Sequence, residues 1–182
     1  MMIAERVLAE AHRWIGTPYR HGASTLGVSC DCLGLVRGIW RALYGVEPEN
    51  PGVYAPDWAE VSQGDPMLEA VVRYMVRREE HAPQPGDLLV FRWKPGFAAK
   101  HMGIMAREGR FIHAYQGHGV LASALVPQWR RRMAGIFLFP EPKVLIHGNS
   151  CFAGRGRCCW RHIRAGGGRH WRWAWCDGRL CH

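Results

Sequence analysis

Nowhere does the 182-residue chain approach the roughly 20 consecutive apolar residues that a bilayer-spanning helix needs, so no membrane insertion is expected. Its first fifteen residues carry Glu5, Arg6, Glu10 and Arg13, which leaves no apolar core of the signal-peptide kind. The expectation is synthesis in the cytoplasm without a cleaved signal. Cysteine is scarce over residues 1–142, where Cys30 and Cys32 stand alone, and a pair at i, i+2 is no disulfide framework. Acid is scarce over residues 143–182, where 1 Asp faces 8 Lys and Arg, whereas residues 1–142 hold 14 acids against 16 Lys and Arg. Of the net charge of +9, the tail therefore carries +7 and the main body +2, which gives no reason to expect a polyanionic partner for the main body.

What is present suits one globular domain. Hydrophobic residues make up 48% and charged residues 21%, and the length allows one sizeable core but is marginal for two. Ala4, Val7, Leu8, Ala11, Trp14 and Ile15 recur at helical spacing until Gly16-Thr17-Pro18 stops the helix. A second helix is predicted over Cys32–Tyr44, with Gly34 and Gly38 on one face where another backbone can approach. Residues 45–65 read as a long loop rich in Pro, Gly and acids, and 67–78 as a third helix. After Pro85-Gly86 the period changes to two, giving strands at 87–93, 101–106, 111–116 and 135–139, with a fifth at 120–125. Helices first and an antiparallel sheet of about five strands after them make an α+β fold, closed by Pro140-Glu141-Pro142.

The tail is of another kind. Cys, Trp, Arg and Gly supply 22 of the 32 residues from Cys151 to His182, and no apolar period is visible. The codons of all four carry G in the second position, so a GC-rich gene read in a shifted or overlapping frame would produce this bias. Residues 1–142 are expected to be the working domain, and 143–182 a disordered or frame-derived tail. Cys158, Cys159, His162, Cys176, Cys181 and His182 match no common structural zinc spacing, so no metal is assigned. Arg and Trp content alone does not specify single-strand stacking, and no nucleic-acid partner or cofactor is expected.

Chemistry concentrates at Cys32. It follows Asp31, a good helix cap, and so falls in the first turn of the second helix. Unpaired N–H groups there favour negative charge, first on sulfur and then on a substrate oxyanion, and a lowered thiol pKa is predicted. A lone cysteine is as readily a buried core residue. The histidines change that balance. His101 and Gly103 share one strand face, and Phe111, His113 and Tyr115 share a face of the next strand. Arg107-Glu108-Gly109 suits a three-residue hairpin loop with Gly109 left-handed, which sets His113 opposite Gly103 and diagonal to His101. Gly103 leaves room for the second ring. His101 would then be the general base toward Cys32, and His113 the residue that orients it. Of the remaining histidines, His21 and His118 are near enough in sequence to line the cleft.

Five stretches carry a family resemblance: Gly16-Thr17-Pro18-Tyr19-x-x-Gly22, residues 31–36 (Asp-Cys-Leu-Gly-Leu-Val), residues 85–88 (Pro-Gly-Asp-Leu), residues 101–104 (His-Met-Gly-Ile) and residues 111–114 (Phe-Ile-His-Ala). In this order they resemble the NlpC-type cysteine peptidases. Asp-Cys-Leu-Gly-Leu-Val-Arg-Gly and the Trp-Arg-Arg-Arg of 129–132 are similar to the phage-tail and gene-transfer-agent branch. The resemblance implies a papain-like fold and hydrolysis of peptidoglycan stem peptides, typically at the bond from D-γ-glutamate to a diamino acid. It implies a Cys32 nucleophile, a His101 base, an orienting His113 and Tyr19 at the oxyanion. Asp31 matches a residue that binds the free amine of the stem peptide in some members. Leu33 stands where Ser is usual and His21 where an aromatic is often found, and both positions contribute to substrate pockets. The branch implies carriage in a phage-like tail, hub or baseplate partners with loop 45–65 as docking surface, and action on periplasmic murein. A catalytically silent tail component and an amidase on the same fold are the alternatives.

Overall fold

The computed structural model describes residues 2–55, 64–80 and 82–142, all within the unit that ends at Lys143. The reading of 143–182 as a tail and the middle of loop 45–65 lie outside the described residues.

Helix α1 (Ile3–Arg13) buries Ile3, Val7, Leu8 and Ala11, the stripe its sequence period marks out. A two-stranded ribbon, β1 (Ser24–Thr25) with β2 (Ser29–Cys30), leads into α2 (Cys32–Tyr44). Helix α3 (Pro66–Tyr74) follows the long loop, capped by Asp65, whose carboxylate accepts from Leu68 N at 3.2 Å. The sheet comprises β3 (Val76–Arg77), β4 (Leu88–Phe91), β5 (His101–Met105), β6 (Arg110–Tyr115), β7 (Gly119–Ala124) and β8 (Met133–Leu138). A short helix α4 (Pro127–Arg130) precedes β8. Strand order is β3-β8-β4-β5-β6-β7, and every neighbouring pair is antiparallel.

The α+β architecture is as the pattern predicts, with two differences. The third helix ends at Tyr74, not near residue 78. Met75 turns extended, and Val76 and Arg77 pair with Leu138 and Phe137 at the sheet edge. A β-branched residue beside an open edge gains more from pairing than from another helical turn. That edge strand makes the sheet six-stranded.

β4 is buried at all four positions because both of its faces are covered. Helices α1, α2 and α3 pack on one face, with Val7, Leu35, Ile39, Val90, Ile104 and Phe137 in the main core. Leu89, Phe91, Met105, Phe111 and Leu125 form a smaller core on the other face, against which Trp129 of α4 packs. Full burial of each large side chain contributes about 1.5–3 kcal/mol. Beside the sheet, Asp87 is 1% exposed and takes both Arg78 Nε (2.8 Å) and Arg78 Nη2 (3.0 Å) while accepting from Gln84 N. This bidentate pair pins the Pro85-Gly86-Asp87 turn, where Gly86 (φ +94) has no room for a side chain because Ala4 O would lie 2.4 Å from its Cβ.

Candidate active site

The site is assembled at the N-terminus of α2. Asp31 caps it, accepting from Gly34 N at 2.7 Å through one carboxylate oxygen and from Gly22 N at 2.7 Å through the other. Cys30 N donates to Pro18 O (3.0 Å) and Arg20 N donates to Cys30 O (3.1 Å), a parallel bridge that holds Tyr19 beside the ribbon. Two strand-like residues thus fix Tyr19 against the first turn that carries Cys32.

A cavity of about 390 Å³ opens there, lined by Tyr19, His21, Asp31, Cys32, Leu33 and His101, together with Tyr54, Met67, Trp93, Lys100, Ala114, Tyr115 and Gln116. It brings together the residues singled out from the sequence except His118 and His113, the latter 1% exposed and standing behind His101. His101 Nε2 and His113 Nδ1 are 2.8 Å apart. The register Ile104↔Ile112 and Met105↔Phe111 continues to set Gly103 across from His113, as the hairpin reading requires. A Cβ at Gly103 would lie 2.8 Å from Ile112 O and 2.9 Å from His113 Cβ, so only glycine leaves the pair undisturbed. Trp129 stacks on His101 at a centroid distance of 5.5 Å, and Trp93 does so at 6.0 Å, which restrains the ring.

Three residues of the site went unforeseen. Ser123 Oγ lies 2.9 Å from His113 Nε2. Tyr54 donates its hydroxyl to Asp31 Oδ2 at 2.6 Å and accepts from His21 Nε2 on its carbonyl at 2.7 Å. Trp93 shares the cavity wall with His101. Asp31, which the resemblance offers as an amine ligand, is a brace in this structure, its carboxylate already accepting from Gly34, Gly22 and Tyr54. His21 fastens the Tyr54 loop. That loop, read as a docking surface, is tied to the body through Glu47 with Arg37 and Arg41, and through Glu49 with Arg73. His118 is exposed and does not line the cavity. Leu33, Tyr54 and Met67 also wall a second, mainly apolar cavity of about 300 Å³.

The electrostatics depart from the sequence expectation. Burial pushes the Cys32 thiol up to about 12, the Asp31 carboxylate adds to this, and the N–H groups of Met102, Leu33 and Cys32 act in the opposite sense. Desolvation therefore outweighs the helix N-terminus. The thiol is a donor, to Lys100 O at 3.9 Å, immediately before His101 in the chain. Burial, then the charge of His113, lowers His101 to about 3, and burial lowers His113 to about 4. The resting pair is a neutral thiol and a neutral imidazole. Tyr19 is pushed up to about 12 by burial and then by Cys32, so its phenol stays a hydrogen-bond donor. A proton acceptor, a thiol and donors for a developing oxyanion are the parts of acyl transfer through sulfur. Among the described residues no group of three His, Cys, Asp or Glu side chains is arranged to hold a metal ion.

These shifts set a stability profile. Between about pH 6.5 and pH 3–4 the unfolded chain protonates His101 and His113 while the folded chain does not, so stability falls as pH falls through that window. Between about pH 9 and 12 the folded chain keeps the Cys32 proton that the unfolded chain loses, so stability falls as pH rises. Thermal unfolding should give a maximum Tm between these windows, and His113→Gln should flatten the acid limb; an unchanged acid limb in that variant would contradict the assignment.

Among known proteins, the chain is similar to a gamma-DL-glutamyl hydrolase of Bacillus subtilis, 34% identical over 139 residues that cover 73% of this chain and 29% of that protein. It is also similar to a murein DD-endopeptidase and murein LD-carboxypeptidase of Escherichia coli, 28% identical over 131 residues, covering 71% of this chain and 60% of the relative. It thus spans less than two thirds of the length of either. A solved NlpC/P60 family protein from Bacillus cereus shares the fold at a TM-score of 0.53 and 21% identity, over 73% of this chain and 39% of that one. Residues 16–137, which contain the cap, the thiol, both histidines and Ser123, match the family model as well, and the chain belongs to the NlpC/P60 family.

Proposed function

We propose that this domain is a cysteine peptidase acting on peptidoglycan stem peptides, with Cys32 as nucleophile, His101 as general base and His113 as the residue that orients it. The observation that carries the reading is the shared cavity of Cys32, Tyr19 and His101 backed by the 2.8 Å His101–His113 contact. His101 Nε2 is engaged by His113, which makes Nδ1 the nitrogen that takes the thiol proton. The sulfur attacks the scissile carbonyl carbon, and the oxyanion is met by the Cys32 N–H at the helix terminus and the Tyr19 hydroxyl. The imidazolium returns its proton to the departing amine, leaving a thioester. Water, giving a proton to His101, then releases the acid and restores the thiol.

The substrate class is supported by the names of the relatives, a gamma-DL-glutamyl hydrolase and a murein peptidase. The bond from D-γ-glutamate to the diamino acid is the one assigned. Incubating purified murein and defined γ-glutamyl stem peptides with the protein should yield, by mass spectrometry, fragments with a new glutamyl carboxylate and a new diamino-acid amine. Release of intact stem peptides would instead identify an amidase, and no product from any of these substrates would refute the peptidase reading.

Carriage in a phage-like tail, with delivery to periplasmic murein and contact with hub or baseplate proteins, is proposed from the resemblance of residues 31–38 and 129–132 to that branch. An antibody against residues 1–142 should detect the chain in purified particles; particles without it would remove this part of the proposal.

A further inference from the structure

His113 lies between two partners, with Nδ1 2.8 Å from His101 Nε2 and Nε2 2.9 Å from Ser123 Oγ. The β6–β7 register, Phe111↔Ser123 and His113↔Leu121, makes Ser123 the diagonal neighbour of His113. A neutral imidazole has one N–H and one lone pair, so each ring in such a series dictates the tautomer of the next. If His101 is to receive a proton on Nδ1, its own hydrogen sits on Nε2 and is donated to His113 Nδ1. His113 then carries its hydrogen on Nε2. That hydrogen needs an acceptor, and Ser123 Oγ is the atom in reach.

The geometry points to Ser123 as a positioning residue: by accepting from His113 Nε2–H it holds both histidines in the Nε2–H tautomer and leaves Nδ1 of His101 as the basic nitrogen. The inference rests on the reading of His101 as general base and adds the residue that sets its polarity. Were Ser123 to donate instead, the series would reverse. His113 would carry its hydrogen on Nδ1, His101 would carry its own on Nδ1, and the thiol proton would have no lone pair to move to. The heavy-atom distances are the same in both arrangements, so the hydroxyl's role as acceptor decides between them. Ser123 is half-buried on β7, so water is available for its own hydrogen. With this polarity the imidazolium that forms on His101 donates to His113 through the hydrogen already in place. No side chain has to turn over during the transfer, which is the preorganisation that lowers a barrier.

The test uses the full chain with histidine ring nitrogens labelled, as wild type, Ser123→Ala and Ser123→Thr. Long-range proton–nitrogen spectra report which nitrogen of each ring carries hydrogen. Wild type and Ser123→Thr should show Nε2–H on both His101 and His113. Ser123→Ala should show Nδ1–H populated on both, with kcat reduced about tenfold, the scale of one hydrogen bond lost at a reacting group, and KM within about twofold. Ser123→Thr keeps the hydroxyl on a residue suited to a strand, and its spectrum decides if Ser123→Ala loses its fold. Wild-type tautomers and kcat in a folded Ser123→Ala, or Nδ1–H rings in Ser123→Thr, would overturn the assignment. Because the tautomers are read without turnover, a wild type with Nε2–H rings and no hydrolysis would refute the peptidase reading while upholding the role of Ser123.

Discussion

Cys32→Ala should release no soluble fragment from murein that wild type digests, a fall of roughly 10⁴-fold or more, because the proposed reaction loses its nucleophile. Its Tm should stay close to that of wild type. The neutral thiol donates a long hydrogen bond, 3.9 Å to Lys100 O, and the N–H groups of Met102, Leu33 and Cys32 favour its charged form, which burial and Asp31 oppose. Little native stability is therefore lost with it. Cys32→Ser should be nearly as inactive, since an alcohol is harder to deprotonate than a thiol and His101 is already a weak base at about 3. His101→Ala should cost roughly 10²–10⁴-fold, the usual share of general acid–base help. These outcomes separate the nucleophile reading from that of a core cysteine, which would give the reverse: retained hydrolysis and a lowered Tm. Murein digestion and calorimetry on the same preparations decide it.

Locality explains what the sequence made legible. Asp31, Cys32 and Gly34 lie within one turn, so the cap, the thiol's place in the first turn and the close approach could be read from three neighbouring letters. His101 and His113 are joined by one hairpin, whose loop ends in Gly109 at φ +65, as its position in the turn demands. Ala106 N donates to Arg110 O at 2.8 Å and closes that loop in the anticipated register. Ser123 depends on a second register, across Tyr115↔Gly119, that alternation alone does not set. Tyr54 comes from a loop without period, and nothing in its neighbours names Asp31 as its partner. The early end of α3 has a cause far away in sequence, the open edge of β8. The ionisation of the thiol escapes the sequence for a related reason. A helix N-terminus is visible in sequence, but the depth at which it is buried is a tertiary quantity, and at Cys32 depth prevails.

Gly34→Ala should lower Tm by roughly 6–12 °C, corresponding to about 3 kcal/mol of overpacking in a domain of this size. Two effects of opposite sign meet at this position. Inside a helix, Ala is favoured over Gly by about 1 kcal/mol, which alone would raise Tm. Against it, a Cβ at Gly34 would stand 1.8 Å from Ala23 O and 2.9 Å from Ala23 C, both backbone atoms. Ala23 cannot swing aside as a flexible side chain would, because Ala23 N donates to Arg20 O and Asp31 N donates to Ala23 O, each at 3.2 Å. Relief requires the Tyr19–Ala23 segment to part from the N-terminus of α2. That movement would stretch the Gly22 N to Asp31 Oδ2 bond and carry Tyr19 away from Cys32. Activity should therefore fall at temperatures where the variant is still folded. Gly38→Ala is the matched comparison. Its Cβ would meet the Trp14 ring at 2.0 Å, a clash between α1 and α2 that should lower Tm to a similar extent while disturbing the Tyr19–Cys32 pair far less. A Gly34→Ala protein that melts above wild type would mean that helix propensity outweighs the Ala23 contact, and the turn carrying Cys32 would then not be held against the Tyr19 segment as it is in the structure.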